Sequence, residues 1–318
     1  MPPSLPFIDA GAIRAAVSIG DLVDAVDAAF RDVAAGRDRS PLRSHHELEG
    51  GSLLTMPGIR SGGPGATVKL VTVMPGNASH GLPTVQAVVA WFDAVTGSPR
   101  AILDGGAMTA MRTGAASGAA TRLLARPDAR TLAMIGAGAQ AEWQVRAVCA
   151  VRPVDRVIVH ARSDASRQSF AERMRTEVPA EIVTAESGDE AVRDADVVCC
   201  ATTSSTPVFE AASLGPGSHV NGIGAYRLGM VELPPEAFER ADLVAVDSRI
   251  AARAEAGDLM ASIERGLLAE DSLVEIGALP PEYAATRDPD AITVFKSVGL
   301  AIQDVAAAEL VVRSVLGD

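Results

Sequence analysis

The sequence predicts an α/β protein: a doubly wound parallel sheet joined to a smaller α+β domain. Two observations carry this. From Thr131 onward, short apolar strands alternate with polar helical segments, whereas the N-terminal third holds one amphipathic helix followed by closely spaced strands. The composition agrees, with 48% hydrophobic residues but only 3% aromatics, so the core is built from Ala, Val, Leu and Ile. At 318 residues the chain is long enough for two domains, each with its own core.

The first helix is expected over Ser18 to Ala35, because Leu22, Val23, Val26, Phe30 and Val33 recur at helical spacing. Strands are expected at Gly51 to Met56, Ala66 to Met74 and Val85 to Asp93, set apart by Pro, Gly and Asn clusters and suited to an antiparallel sheet. Ala107 to Ala125, rich in Ala, Gly and Thr, reads as a closely packed helix. Parallel strands then follow at Thr131 to Ile135, Val157 to His160, Glu181 to Val183, Val197 to Ala201, His219 to Ile223 and Leu243 to Val246. Ile292 to Leu316 reads as a strand and helix that return to the first domain. The expected domains are therefore residues 1–121 with 292–318, and residues 122–291.

Charge and cysteine usage narrow the function. A net charge of -12 argues against nucleic-acid or anionic-membrane partners. No apolar segment approaches the roughly 20 residues of a membrane span. The N-terminus Met1-Pro-Pro-Ser-Leu-Pro6 lacks a basic and then apolar leader, so a cytoplasmic protein is expected. Cys149, Cys199 and Cys200 have neither disulfide nor metal spacing and read as small core residues; no metal is expected. His45, His46 and His80 read as loop residues with surface or structural roles.

Only two of the 28 basic residues are lysines, Lys69 and Lys296, and both interrupt apolar strand-like runs. A partly buried ammonium can shift its pKa and donate a proton, which a guanidinium does not do at ordinary pH. Lys69 is therefore the first catalytic candidate.

Ala133-Met-Ile-Gly-Ala-Gly-Ala-Gln-Ala141 places Gly136, Gly138 and Ala141 in a G-x-G-x-x-A arrangement between a strand and a helix. Gly136 permits the tight turn and Gly138 lets the backbone reach a pyrophosphate. The helix starting near Ala139 and Gln140 aims its first N–H groups at the anion. This marks 122–291 as a Rossmann-type dinucleotide domain. About 25 residues past Gly136, an NAD-specific site would offer an acid to the ribose, but here stands His160-Ala-Arg-Ser163. Arg162 and Ser163 would suit a 2′-phosphate, so NADP(H) is the expected cofactor, with NAD(H) possible.

Seven segments, in order, resemble the ornithine cyclodeaminase/μ-crystallin family. They are Thr67-Val-Lys-Leu-Val71, Ala110-Met-Arg-Thr-Gly-Ala-Ala116, Ile135-Gly-Ala-Gly-Ala-Gln140, Ala195-Asp-Val-Val198 with Ala201-Thr-Thr203, Asn221-Gly-Ile-Gly-Ala-Tyr-Arg227, Val246-Asp-Ser248, and Phe295-Lys-Ser-Val-Gly-Leu-Ala-Ile-Gln-Asp304. The resemblance implies a homodimer formed through the N-terminal domain and an active site in the interdomain cleft. It implies that Arg43 and Arg112 bind a substrate carboxylate, that Lys69 is the active-site lysine, and that Thr202, Val298 and Gly299 lie against the cofactor. Asp304 is read as a carboxylate suited to its helix dipole, without catalytic duty.

Two departures from the cyclodeaminases shape the expected reaction. Tyr226 stands where they carry the aspartate for the distal amine, and Leu54 stands where they place another acid. Gln86, alternating with apolar strand neighbours, is the third expected pocket residue. The expected substrate is a small imino or amino acid, and the expected reaction is NAD(P)H-dependent reduction of cyclic ketimines such as Δ1-pyrroline-2-carboxylate or Δ1-piperideine-2-carboxylate. Alternatives are an amino-acid or opine-type dehydrogenase, an NAD-dependent cyclodeaminase, and a non-catalytic NADPH-dependent binder of small ligands.

Overall fold

The computed structural model describes residues 4–317 and divides into two compact units. The first runs up to Arg112 and resumes at Leu300; the second is Thr113–Gly299. The N-terminal part of the first unit contains β1 (Phe7–Ile8), α1 (Ala10–Ala16), α2 (Ile19–Ala34), β2 (Ser44–Leu48), β3 (Gly51–Ile59), β4 (Gly65–Val73), β5 (Val85–Asp93) and β6 (Pro99–Asp104). Helix α2 starts where expected because Ser18 caps it: its Oγ accepts the Asp21 N–H at 3.1 Å and donates to the Asp21 carboxylate at 2.7 Å. Leu22, Val23, Val26 and Phe30 are buried as the periodicity requires. Val33 is only partly buried, and Asp32 beside it is buried instead, paired with Arg37 at 2.6 Å.

The sheet runs β1-β6-β5-β4-β3-β2, antiparallel except for the β1–β6 pair. Strict alternation in β3 and β4 gives the sheet one buried and one less buried face. β2 was not foreseen: Ser44-His-His-Glu-Leu48 lacks the apolar alternation of a half-buried strand and is exposed throughout, being an edge strand. His45 and His46, expected in a loop, therefore stand on a strand; His80 ends a 3-10 turn, Pro75–His80, and is exposed.

Helix α3 (Gly105–Leu124) follows, and the boundary between the units falls within it. The second unit continues with β7 (Thr131–Ile135), α4 (Ala141–Val151), β8 (Arg156–His160), α5 (Asp164–Met174), β9 (Glu181–Thr184), α6 (Gly188–Val192), β10 (Val197–Cys200), β11 (His219–Gly222), α7 (Pro235–Glu239), β12 (Leu243–Val246), α8 (Arg249–Glu255), α9 (Gly257–Glu264), β13 (Val274–Glu275), α10 (Tyr283–Thr286) and β14 (Thr293–Lys296). All eight strands are parallel, in the order β13-β12-β14-β11-β10-β7-β8-β9. The chain starts at β7, winds outward through β8 and β9, and crosses back to β10, as a doubly wound sheet does.

One expectation is corrected here. Thr293–Lys296 does not join the first unit's sheet but lies between β11 and β12, with Val294 opposite Val220 and Val244. Its residues are buried on both faces, which in a parallel sheet gives a continuous apolar run. The units accordingly part at Gly299/Leu300 rather than before 292, and at Arg112/Thr113 rather than after 121. Only the last helix, α11 (Ala301–Leu316), belongs to the first unit, where it packs on β3, β4 and α2.

Lys296 is wholly buried in β14, its Nζ 3.1 Å from the equally buried Asp258 carboxylate. The same carboxylate accepts the Leu259 N–H at 2.9 Å. Asp258→Asn is expected to cost about 3–5 kcal/mol, because it strands an ammonium in the core. Urea unfolding of the single variant and of Asp258→Asn with Lys296→Met checks this; the second substitution should recover much of the loss.

Candidate functional site

In the first unit, Lys69 sits at the middle of β4 on the sheet face covered by α11. Its cross-strand partners are Met56 and Val89, and it is 1% exposed. Around it on that face lie Leu54, Met56, Val71 and Val73, packed with Ala301 and Ala87. An ammonium in such a setting needs an anion. Asp304, in the first turn of α11, supplies it with Oδ2 2.8 Å from Lys69 Nζ. Its Oδ1 accepts from Arg112 Nε at 3.1 Å. Gln303 completes the arrangement: its Oε1 accepts from Arg112 Nη1 at 2.9 Å and from the Leu300 N–H at 3.1 Å.

Burial pushes the Lys69 pKa down from 10.5 to about 7, aided by the Arg112 charge and more weakly by Arg43, while Asp304 opposes the shift. Burial also pushes the Asp304 carboxyl upward, but the charges of Lys69 and Arg112 and their hydrogen bonds prevail and hold it below the usual carboxylate range. Arg43, half-buried just ahead of β2, is near enough for its charge to reach Lys69. Lys69 and Arg112 thus share one carboxylate, with the Arg43 charge also felt at Lys69, a setting suited to an anionic ligand.

The structure therefore brings Arg43, Lys69 and Arg112 together and places Leu54 on the same face as Lys69. Gln86 is not with them. It pairs with Thr72, three residues from Lys69 along the strand, and so is exposed on the opposite face of the sheet. Asp304 and Gln303 were missed as partners of this cluster. The available signal was two polar residues, Gln303 and Asp304, inside the otherwise apolar Ala301–Ala308, opposite the need of a buried lysine for an acid.

In the second unit, the residues expected to bind the dinucleotide stand at the carboxyl ends of the parallel strands, where such sheets bind ligands. Gly136 follows β7 with φ 109°, and a Cβ there would lie 2.7 Å from the Ala201 carbonyl oxygen, so this position requires glycine. A Cβ on Gly138 would instead enter open space, which keeps the turn accessible to a pyrophosphate. Helix α4 begins at Ala141, two residues later than expected, with Gln140 as an N-cap that makes no side-chain cap bond. Its first N–H groups are therefore not taken up by a capping side chain. These features fit a dinucleotide.

The remaining candidates are held by buried carboxylates. Asp247 accepts the Ser297 hydroxyl at 2.7 Å, the Val298 N–H at 3.0 Å and the Gly299 N–H at 2.8 Å. Glu232 accepts the Thr202 and Gly224 N–H groups. Arg162 is exposed past β8, whereas the Ser163 hydroxyl caps α5 by accepting the Ser166 N–H. Tyr226 is half-buried, with the Arg227 guanidinium 5.5 Å from its ring centre. Among the described residues, no group of three or more His, Cys, Asp or Glu is arranged to hold a metal ion. Likewise, no helix is long and apolar enough to cross a membrane.

The lowered Lys69 pKa has a measurable consequence for stability. Between about pH 7 and 10.5 the unfolded chain holds a proton on Lys69 that the folded chain has released, so stability should rise with pH in that window. Lys69→Met should lack this rise when urea unfolding is compared at both ends of the window. Parallel behaviour of the two proteins would show that Lys69 keeps its ordinary proton affinity.

A sequence profile of the ornithine cyclodeaminase/mu-crystallin family matches residues 7–318. A Delta(1)-pyrroline-2-carboxylate reductase of Bacillus cereus is 36% identical over 306 residues, covering 95% of this chain and 94% of the relative. The structure of Thermococcus litoralis Delta(1)-pyrroline-2-carboxylate reductase in complex with NADH and L-proline superposes with a TM-score of 0.92 at 34% identity, covering 98% of both chains. An archaeal alanine dehydrogenase dimer with bound NAD gives a TM-score of 0.89 at 30% identity, covering 98% of this chain and 96% of the other. The chain belongs to the ornithine cyclodeaminase/mu-crystallin family.

Proposed function

We propose that the protein is an NAD(P)H-dependent reductase of small α-imino acids, with Δ1-pyrroline-2-carboxylate or Δ1-piperideine-2-carboxylate as substrate. The observation that carries this reading is the buried Lys69–Asp304–Arg112 cluster beside an apolar wall that includes Leu54. Arg112 and Arg43 offer guanidinium groups to the substrate carboxylate. Asp304 and Gln303 fix the Arg112 guanidinium from behind, so it is oriented before a ligand arrives. An uncharged aliphatic ring suits the side chains of Leu54, Met56 and Val71, none of which could pair with a distal ammonium as a cyclodeaminase substrate would require.

Reducing a C=N bond consumes one hydride and one proton and leaves an amine. A reduced nicotinamide cofactor held by the glycine turn after β7 would supply the hydride. Lys69 is suited to give the proton to the imine nitrogen, since burial lowers its pKa to about 7. Gly136, Gly138 and the start of α4 would hold the pyrophosphate. Exposed Arg162 supports NADPH as the preferred donor over NADH, because a guanidinium can pair with a 2′-phosphate.

Homodimerisation in the cytoplasm completes the proposal. The sheet face opposite α11 exposes Leu70 and Val88, which pair directly, together with Ile59, each 42% exposed. Similarity to an alanine dehydrogenase dimer supports the pairing of two subunits.

The test is the loss of NADPH or NADH absorbance with five- and six-membered cyclic ketimine carboxylates. Turnover is expected, with kcat/KM higher for NADPH. The rate should fall as pH rises through about 7, where Lys69 loses its proton. Oxidation only with a 2-oxo acid plus an amine would move the protein to the amino-acid dehydrogenases. Leu70→Glu is expected to convert a dimer to monomers in light scattering; an unchanged mass would place any subunit contact elsewhere.

A further inference from the structure

Glu232 lies between β11 and α7 and has 0% exposure. Its side chain joins two neighbouring loops. One carboxylate oxygen accepts the Thr202 N–H, just past β10, and the other accepts the Gly224 N–H at 2.8 Å, just past β11. The last strand-like bonds here run from Ala201 N–H to the Ile135 carbonyl at 2.9 Å and from Ile223 N–H to the Cys200 carbonyl at 3.1 Å. One residue beyond each, the backbone donors turn to Glu232 instead. The main chain reinforces the contact: the Val208 N–H donates to the Glu232 carbonyl at 3.0 Å, and the Val231 N–H to the Ser204 carbonyl at 3.2 Å.

Each N–H meets its own terminal oxygen, an arrangement that a carboxylate provides and an amide, with acceptor capacity on one terminal atom, does not. The approach is also too close for another residue at position 224, where a Cβ would press on the Thr202 backbone and the Glu232 carboxylate. Through Ala201, whose carbonyl abuts Gly136, the same loop reaches the glycine turn of the dinucleotide site.

We propose that Glu232 is a positioning residue that locks the Thr202 loop to the Gly224–Tyr226 loop and thereby sets the affinity for the nicotinamide cofactor. The assignment rests on the cofactor site proposed above. The charged and titratable groups around Glu232 are Lys296, Asp258, Cys199 and Cys200. Burial raises its pKa to about 6, while Lys296 favours the anion and Asp258 disfavours it. Below about 6 the carboxyl takes up a proton, and its hydroxyl then competes with a backbone N–H for the same space.

The experiment measures NAD+ affinity by calorimetry, with thermal unfolding and amide exchange of the segments holding Thr202 and Gly224. Wild type, Glu232→Gln and Gly224→Ala are compared near pH 8 and near pH 5.5. Glu232→Gln keeps the size of the side chain but turns an amide NH2 toward one of the two backbone donors, so a modest fall in Tm is expected and the pH response carries the discrimination. Affinity near pH 8 should fall about 10–100-fold, the worth of a hydrogen bond to a charged group. Exchange at both loops should quicken, and Gly224→Ala should weaken affinity in the same direction. Wild type should lose affinity near pH 5.5, whereas Glu232→Gln should respond little to pH.

Equal affinity in wild type and Glu232→Gln would overturn the lock and leave the cofactor site standing. An affinity loss in Glu232→Gln with the wild-type pH response retained would also overturn it, reducing Glu232 to a structural residue. Failure of the wild-type protein to bind either dinucleotide would remove the cofactor reading and this role together.

Discussion

The first unit's site depends on one carboxylate. Asp304 lies between the ammonium of Lys69 and the guanidinium of Arg112, and without it two cations would be buried with nothing to balance them. A pair of buried charges gives little net stability, because desolvation offsets the attraction. What it gives is orientation. Arg112 is fixed by Asp304 on its Nε and by Gln303 on Nη1, and Lys69 is held at the middle of a strand whose neighbours are apolar. The cost is borne by α11, which brings Asp304 in on its first turn, where the helix N-terminus also favours negative charge.

The second unit uses buried carboxylates differently, to hold backbone. Asp247 gathers the Ser297 hydroxyl and the Val298 and Gly299 N–H groups, and Glu232 gathers those of Thr202 and Gly224. In each case the strand ladder has just ended and the main-chain donors would otherwise lie buried and unpaired. Loops at the carboxyl ends of the strands are thereby fixed by side chains from loop positions beside them. This lets a scaffold rich in Ala, Val and Gly carry well-defined loops.

Much of this was legible in the sequence, for definite reasons. The alternating strands β3, β4 and β5 and the glycine turn before α4 follow from local rules that do not depend on distant contacts. Lys69 was legible because lysine is so rare in this chain. The failures have a common cause. Thr293–Lys296 reads as a strand from either sheet, and only the pairing with β11 and β12 decides which. β2 carries no hydrophobic pattern since it buries no side chain. Gln86 alternates correctly, but alternation alone does not say which face is covered; α11, contributed from the far end of the chain, settles that. Asp304 was visible as a charge in an apolar helix, and its partners lie about 190 and 235 positions upstream, beyond any local pattern.

The two lysines have a practical consequence. With Lys69 at 1% and Lys296 at 0% exposure, the folded surface presents arginine as its long-chain cation and no lysine side chain. Reagents that acylate or cross-link lysine amines find no exposed lysine on the native surface, and Lys296 becomes accessible only once its sheet opens. Lysine labelling therefore works as a report of unfolding, and attachment of dyes or supports through lysine would select for molecules that have already lost the site.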